Sequence, residues 1–514
     1  MHTFEYDSLP IIETKQGKLQ GYQYDGIYTY KGIPYAKAER WQLAKPYSWQ
    51  GVFDATSYGR VAPLMEQDNP KGELMVPHMY WPQDEDCLSL NIWTKDLTKK
   101  KPVMVWIHGG GYFAGSSIEQ LAYDGANLAN DDVVVVSLNH RLNILGFLDL
   151  EPFGEQFKDS ANAGLDDIVC ALQWIQENIA QFGGDPNNVT LFGQSGGGMK
   201  IGLLMQIPKA AGLFHKGIMM SGIGGEFMPP YSGGTGKEIV TAMLEYLHFE
   251  KIEELVEAPY PQVFEAYSHC SKAIASKGGY IGNNPRIDAY CLGEGQEVGF
   301  TDFAKTVPVM IGSVFGEFGS FNPLPIDKYH TSQEEQYKLV EQRYHDYTSQ
   351  IVEEFKQAYP EKQIADLLVL DTVFRPINKK FIDVKANDPQ APVYTYVFGL
   401  DFPIHHGQAA WHCSDIPFFF NNIDKAPYAN IEGVSETLQQ QMSQAFIHFA
   451  KDGNPNHEGL PTWNPCTKGH EETMIFDKEC SVRVNFDTKL LKDMMDAIPT
   501  ITLAQLHGEI DVQH

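Results

Sequence analysis

The amino-acid sequence predicts an α/β fold with a central, mostly parallel sheet flanked by helices. Short apolar runs alternate along the chain with longer segments of helical periodicity, a pattern typical of parallel sheets with crossover helices. The runs are continuously apolar, as expected of strands that are buried on both faces. Six of them are predicted strands: residues 103–107, 133–138, 189–192, 217–220, 307–311 and 393–398.

Further patterns place the elements around these strands. Residues 11–22 and 28–35 predict an antiparallel meander that precedes the sheet. Residues 162–182 predict a long helix, because apolar side chains recur on one face and Gly-Gly-Asp-Pro follows at once. A second helix is predicted directly after Ser195, as far as residue 204.

Two stretches, residues 226–306 and 332–387, are more polar and helical in pattern. We interpret them as insertions that cap the sheet rather than as separate domains. Since single α/β domains with long insertions reach 514 residues, the chain 1–514 is predicted to form one domain.

Composition and charge exclude several classes of protein. A net charge of −27, with no basic run longer than three lysines, argues against binding to nucleic acid or anionic membranes. No stretch of 18 apolar residues occurs, and the first ten residues do not resemble a signal peptide. The seven cysteines are odd in number and widely spaced, without a Cys-x-x-Cys pair. We therefore expect reduced thiols, a cytoplasmic location, and no metal or cofactor.

The segment 193–197 reads Gly-x-Ser-x-Gly, with a predicted strand before it and a predicted helix after it. This context is that of a nucleophile elbow, a tight bend that exposes the hydroxyl of Ser195. Glycines suit the strained backbone and the close packing of such a bend. The alternative is a glycine-rich turn with a capping serine, which the flanking elements disfavour.

A second glycine motif follows the strand at 103–107, where His108 precedes Gly109, Gly110 and Gly111. Loops of this kind supply backbone amides to the oxyanion that forms when a serine attacks a carbonyl carbon. We expect His108 to brace the loop by a hydrogen bond.

A serine nucleophile also needs a base and an orienting acid, which follow it in the order acid, then histidine. Glu317 is the one carboxylate in the loop after the strand at 307–311. Three histidines, His405, His406 and His412, follow the strand at 393–398. Position alone does not choose among them.

Several segments carry a resemblance to a known family. Residues 30–36, 85–93, 139–142 and 183–193 resemble blocks of the type-B carboxylesterase/cholinesterase family, and residues 85–93 are similar to its Glu-Asp-Cys-Leu-x-Leu-Asn signature. The matching segments extend from about residue 31 to residue 420. The resemblance implies an α/β-hydrolase fold and a serine esterase that hydrolyses carboxylic esters through an acyl-enzyme.

The resemblance also implies a set of catalytic residues. Glu317 takes the place of the family's acid, and residues 410–418 resemble the block that carries its base, which implies His412. His405 and His406 then belong to the loop or to the rim of the pocket.

Other roles follow from the same resemblance. It maps the oxyanion hole onto Gly110, Gly111 and Gly196. Ser221 matches a serine that supports the triad, with a plain structural role as the alternative. Asp415 remains a disfavoured alternative acid.

The chain departs from the family's pattern in four places. Gln194 replaces the usual Glu, which removes a negative charge beside the nucleophile, and Gly196 replaces the usual Ala. Gly316 and Phe318 flank the acid in place of Asp and Gly. Cys87 is the first cysteine, so the family's disulfide to an earlier cysteine cannot form. This last departure agrees with a bacterial-type cytoplasmic member.

Aromatic side chains near the mapped residues predict an apolar pocket for short acyl or aryl esters, lined by Phe315, Phe318, Phe321 and Trp411. Residues 71–82 are interpreted as a lid. The expected partner is a small-molecule ester, and the oligomeric state stays open. The alternatives are another acyl hydrolase (a lipase, or a carbamate, feruloyl- or acetyl-ester hydrolase) and a non-catalytic cholinesterase-like binding protein.

Overall fold

The computed structural model describes residues 5–64, 79–224, 234–321, 323–388 and 390–498. Within these ranges one large sheet has eleven strands. In chain order they are β1 (Tyr22–Tyr24), β2 (Ile27–Pro34), β3 (Ser89–Thr94), β4 (Lys101–Ile107), β5 (Val134–Leu138), β6 (Gly184–Gln194), β7 (Lys216–Met220), β8 (Val309–Val314), β9 (Val393–Phe398), β10 (Glu472–Phe476) and β11 (Ser481–Val484).

The order of strands across the sheet is β11-β10-β9-β8-β7-β6-β4-β5-β3-β2-β1. Neighbours are parallel from β5 to β10, and the pairs at both ends of the sheet are antiparallel. The predicted mostly parallel sheet is thus confirmed. Because the parallel strands all point the same way, the loops after β4, β6, β8 and β9 meet at one edge.

Smaller strand groups lie outside this sheet. Ile11–Thr14, Gly17–Gln20 and Val52–Asp54 form a three-stranded sheet, and two-stranded pairs join Ala36–Lys37 to Lys45–Pro46 and Asp401–Phe402 to Gln408–Ala409. The predicted meander is confirmed as two hairpins, one in this small sheet and one formed by β1 and β2.

Fifteen α-helices occur in the described ranges. They are α1 (Ala126–Ala129), α2 (Asn143–Phe147), α3 (Ala163–Asn178), α4 (Gly196–Leu204), α5 (Lys237–Leu247), α6 (Ile252–Glu257), α7 (Tyr260–Ala275), α8 (Gly295–Val298), α9 (Asp302–Thr306), α10 (Gln333–Tyr344), α11 (Thr348–Ala358), α12 (Phe374–Ala386), α13 (Ile416–Phe419), α14 (Ser435–Asp452) and α15 (Thr488–Ala497). None of them is long and apolar enough to cross a membrane.

The helices predicted around the nucleophile are confirmed. The long helix is α3, and the final turn of the predicted span, Ile179–Phe182, is a 3-10 helix. The second is α4, which begins at the residue after Ser195. The two predicted cap regions contain α5 to α9 and α10 to α12. Their assignment to one domain with the sheet stays a prediction.

Strand β3 is absent from the sequence prediction because half of its side chains are polar. All six residues are nevertheless buried. Asn91 shows why: its amide donates to the hydroxyls of Ser117 and Ser137, at 3.2 and 3.0 Å, and its carbonyl accepts from the backbone of Gly32. These partners come from distant parts of the chain, so only the folded protein satisfies the polar groups of this strand.

Strand β8 begins two residues later than predicted and continues to Val314. The added residues pair with β9 as far as Phe398. This extension carries the chain to the edge of the sheet where β6 also ends, and Glu317 follows after two more residues. Of the predicted lid, residues 71–78 lie outside the described residues.

Candidate active site

Ser195 occupies the bend between β6 and α4. Its φ of 55° and ψ of −125° are strained for a residue with a side chain, and its backbone amide donates to the carbonyl of Met220 at 2.8 Å. A strand, a strained serine and a helix in direct succession are the geometry of a nucleophile elbow. The fold therefore presents the Ser195 side chain at the edge of the sheet, as the motif predicts.

The structure brings His412 and Glu317 together at this edge. Nδ1 of His412 lies 2.5 Å from Oε2 of Glu317, and both side chains are buried. The other carboxylate oxygen accepts the amide of Val314 at 2.9 Å. Burial lowers the pKa of His412 and raises the pKa of Glu317, since it penalises both charged forms. The short contact between Nδ1 and Oε2 fixes the orientation of the imidazole toward the acid.

Two further carboxyl groups, Asp371 and Asp415, face His412 and raise its pKa against the effect of burial. Asp371 accepts the backbone amides of Val373, Phe374 and Arg375 at the start of α12, at 2.7–3.2 Å. Asp415 accepts the hydroxyl of Tyr396 at 3.2 Å. Burial and the nearby Glu317 raise the pKa of each to about 7. Of the three carboxyl groups, Glu317 is the one that contacts the imidazole.

The side-chain amide of Gln194 lies against the imidazole, 3.4 Å from Nδ1 as well as close to Nε2. Its amide nitrogen lies 3.1 Å from Nε2 of His412, and its side chain is buried. An amide N–H can donate to the lone pair that Nε2 carries when Nδ1 holds the proton. This amide nitrogen is therefore close to both ring nitrogens rather than directed at Nε2 alone.

Replacing Gln194 with Glu is expected to shift the acid limb of the pH profile of kcat/KM to higher pH. A carboxylate at this position would stabilise the imidazolium and so raise the pKa of His412, adding to Asp371, Asp415 and Glu317. The profile should be measured from pH 4 to 9 for the wild type and Q194E. The neutral variant Q194M is the matched control and should leave the limb in place. An acid limb unchanged in Q194E would contradict the proximity of this side chain to the base.

The glycine loop after β4 is held by its carbonyl groups. Nδ1 of His108 lies 2.9 Å from the carbonyl oxygen of Gly109, and the carbonyl of Gly110 accepts the amides of Phe113 and Ala114. In a trans peptide the C=O and the N–H point in opposite directions. Anchoring these two carbonyls therefore turns the amides of Gly110 and Gly111 the other way, and among the described residues neither has an acceptor. Gly110 and Gly111 both have positive φ, of 84° and 61°.

Gly196 begins α4 and lies against this loop. A Cβ at this position would overlap the carbonyl oxygen of Gly111 and would lie 2.5 Å from its Cα. The absence of a side chain thus lets the loop approach the elbow more closely than an alanine would allow. The amide of Gly196 also belongs to the first turn of a helix, where the partial charge is positive.

Ser221 follows β7 directly and has a positive φ of 44°. Its backbone amide donates to the carbonyl of Gly312 at 2.8 Å. Its hydroxyl faces Glu317 and lowers the pKa of that carboxyl, whereas burial raises it. Among the described residues the Oγ of Ser221 has no hydrogen bond in good geometry. The side chain therefore lies beside the acid, and its role in supporting the triad stays a prediction, with a plain structural role as the alternative.

The predicted aromatic lining divides into two pairs. The ring of Phe318 lies 4.4 Å from that of His412 and 5.6 Å from that of Phe321. Phe315 and Trp411 are instead buried in the core, Phe315 against Tyr359 and Trp411 among the rings of Phe402 and Tyr428. The pocket interpretation does not extend to these last two, because packed neighbours surround their side chains.

Sequence reasoning missed one aromatic residue at the site. Phe374, the first residue of α12, stacks on His412 with ring centres 5.4 Å apart and planes 6° apart. It lies inside the predicted cap region 332–387, where no motif distinguishes it. His406, by contrast, is exposed, with Nδ1 3.2 Å from a carboxylate oxygen of Asp327. Among the described residues no group of three His, Cys, Asp or Glu side chains could hold a metal ion.

Comparison with known proteins decides the family. The profile described as "Carboxylesterase family" matches residues 8–493. The chain belongs to the carboxylesterase family. Para-nitrobenzyl esterase of Bacillus subtilis (strain 168) is 34% identical over 494 residues, which cover 92% of this chain and 96% of that protein. Phenmedipham hydrolase of Pseudarthrobacter oxydans is 33% identical over 477 residues, with 88% and 92% covered.

A solved esterase from Clostridium hathewayi is similar to this carboxylesterase over almost its full length. It is 52% identical, covers 96% of this chain and 100% of its own, and superposes with a TM-score of 0.93. Its title states that it can hydrolyse aliphatic aromatic polyesters. A solved para-nitrobenzyl esterase superposes with a TM-score of 0.76 at 30% identity, covering 95% of this chain and 99% of its own. The predicted α/β-hydrolase fold and the predicted activity, hydrolysis of carboxylic esters, are confirmed.

Proposed function

We propose that this esterase acts through Ser195, His412 and Glu317, with the oxyanion bound by the amides of Gly110, Gly111 and Gly196. The hydrogen bond between Nδ1 of His412 and Glu317 carries the proposal. With Nδ1 facing the acid, Nε2 is left as the proton acceptor, and Gln194, the neighbour of Ser195 in the chain, lies against the same ring.

The reaction follows from these positions. His412 accepts the hydroxyl proton as the oxygen of Ser195 attacks the carbonyl carbon, and Glu317 stabilises the imidazolium. The three amides stabilise the negative charge of the tetrahedral intermediate. As this intermediate collapses, His412 donates the proton to the leaving alcohol, and an ester of Ser195 remains. Water, deprotonated by His412, then attacks this ester and releases the acid and the free serine.

For the substrate we propose esters with a short acyl or an aromatic acid group. The half-buried ring of Phe318 lies next to the base with Phe321 against it, and Phe374 stacks on the same imidazole. The solved relative named for aliphatic aromatic polyesters supports aromatic acids in particular. Oligomers of terephthalate with short diols are the corresponding polymeric substrates.

The test compares hydrolysis of p-nitrophenyl acetate, butyrate and octanoate with that of dibutyl terephthalate by the purified protein. We expect turnover of acetate and butyrate to exceed that of octanoate, and terephthalate to be released. Hydrolysis of octanoate alone would favour a lipase, and no turnover of any ester would contradict the proposal.

Replacing Phe318 with alanine is expected to raise the rate on hexanoate relative to acetate by about tenfold, because space for methylenes opens beside the base. The ratio within one variant is the measurement, since it cancels any change in the triad itself. The control is Phe315→Leu in the adjacent core, which should leave the ratio unchanged. Equal relative rates in F318A and the wild type would exclude Phe318 from the acyl pocket.

We further propose a bacterial-type, cytoplasmic enzyme that forms a single hydrolase domain. None of the seven cysteines is joined in a disulfide bond, and five of them are buried. Burial raises the pKa of Cys87 and Cys170 beyond the range in which thiolates form. Such thiols persist in a reducing compartment.

A further inference from the structure

Lys200 is a buried cation close to the site. It lies on α4, five residues after Ser195, and its exposure is 0%. Its ammonium donates to the backbone carbonyl of His108 at 3.4 Å. No carboxylate oxygen of a described residue lies within 4.0 Å of it. Burying an ammonium without an ion-pair partner costs folding free energy. Lys200 therefore lowers the stability of the folded protein whenever it is charged.

The groups around Lys200 do not compensate its charge. The rings of His108 and His140 stack at 5.0 Å with planes 14° apart. Burial and the nearby Lys200 lower the pKa of both rings, which are therefore neutral. Each ring nitrogen Nδ1 lies within 2.9 Å of a backbone carbonyl. Among the described residues, Glu119 is the acidic group whose charge raises the pKa of the ammonium, whereas burial lowers it.

The carbonyl that Lys200 holds belongs to the first peptide of the glycine loop. The next carbonyl, that of Gly109, is held by the ring of His108. Lys200 and the ring of His108 thus anchor the carbonyl groups of two successive peptides, on the side of the loop away from the amides of Gly110 and Gly111. The amides of Gly110 and Gly111 follow on the opposite side of the same loop. A positive charge behind these amides would be felt by any negative charge in front of them.

We propose that Lys200 is a positioning residue for the oxyanion hole: it fixes the first peptide of the loop and places a buried positive charge behind the amides that bind the oxyanion. This role rests on the proposed function of Ser195. It predicts that Lys200 contributes to the transition state and not to substrate binding. A merely structural role predicts no selective loss of transition-state stabilisation in K200M. A buried ammonium can be replaced by an apolar chain of similar size without loss of stability.

The experiment compares Lys200→Met with the wild type. The matched control is Lys385→Met, because Lys385 is also buried and donates to backbone carbonyls, those of Ala304 and Lys305, near the far end of α12. We expect K200M to lower kcat on p-nitrophenyl butyrate about tenfold with KM within about twofold, less than the loss of a direct oxyanion donor. K385M should keep the kcat of the wild type.

A tetrahedral inhibitor separates charge stabilisation from substrate binding. An alkyl trifluoromethyl ketone forms an adduct with a serine that carries the oxyanion, whereas the matching methyl ketone binds without it. We expect K200M to weaken the trifluoromethyl ketone by the same factor as kcat and to leave the methyl ketone unchanged. Equal affinity of both proteins for the trifluoromethyl ketone would overturn the role of Lys200. An absence of any adduct in the wild type would refute the proposed function, and this inference with it.

The pH dependence of inhibitor binding provides a second test. Burial lowers the pKa of Lys200 to about 7. A lysine is charged below its pKa, so the stabilising charge is present at pH 6 and lost by pH 9. Over this interval the affinity of the wild type and of K385M for the trifluoromethyl ketone should therefore fall relative to that of K200M, in which Asp371, Asp415 and Glu317 still titrate. If K200M does not fold, Lys200→Gln, which keeps a donor without the charge, replaces it. A ratio of wild-type to K200M affinity that is constant from pH 6 to 9 would overturn the proposal.

Discussion

Replacing Ser195 with alanine is expected to lower kcat on p-nitrophenyl butyrate by about 10⁶-fold, as removal of a serine nucleophile does when the triad acts as a unit. Without the hydroxyl no acyl-enzyme forms, and the oxyanion loop and binding alone provide the residual rate. Stopped-flow measurement should show a burst of p-nitrophenol in the wild type if deacylation limits turnover, and none in S195A.

The control for this variant is Ser443→Ala. Ser443 is buried in α14 and its hydroxyl donates to a backbone carbonyl of the same helix, that of Gln440. It should retain full activity, which shows that loss of a buried hydroxyl elsewhere is harmless. Both variants should unfold within a few degrees of the wild type. An S195A variant with more than about 1% of the wild-type kcat would exclude Ser195 as the nucleophile.

Replacing Glu317 with glutamine is expected to lower kcat by about 10⁴-fold with little change in the fold. The carboxylate that accepts from Nδ1 of His412 becomes an amide, which can present an N–H to that nitrogen. The proton then moves to Nε2, the wrong tautomer for a base that must accept from Ser195. The measurement is kcat at pH 8, well above the lowered pKa of His412.

Asp415→Asn is the matched comparison for the acid. Asp415 is also buried, also faces His412, and differs from Glu317 in that it contacts the hydroxyl of Tyr396 rather than the imidazole. Its amide variant should lose less than about tenfold, since only a distant charge is removed. The opposite ranking, with D415N the more damaging change, would make Asp415 the acid and disprove the role of Glu317.

Local motifs explain how much of the fold could be predicted. Strand β4 is continuously apolar from Val103 to Ile107, the pattern expected of a strand that is buried on both faces. Helix α3 follows from the spacing of its own apolar side chains. Strand β3 has no such local signal, because Asn91 is tolerated there only by hydrogen bonds to Ser117 and Ser137. The reach of β8 to Val314 likewise depends on its pairing with β9.

Local motifs likewise identify only part of the candidate site. The candidate nucleophile and the oxyanion loop can be recognised from the sequence, because an elbow and a glycine loop are properties of a few consecutive residues. Among the three candidate histidines the family resemblance points to His412, and the tertiary structure shows that this one meets Glu317, 95 residues away, and that Gln194, 218 residues away, touches the same imidazole. The tertiary structure also shows that Phe374 stacks on this ring. It places the ammonium of Lys200 at the carbonyl of His108, without an ion pair to any described residue. These contacts join segments far apart in the chain, and the packing of the sheet and its helices, rather than any local pattern, brings them together.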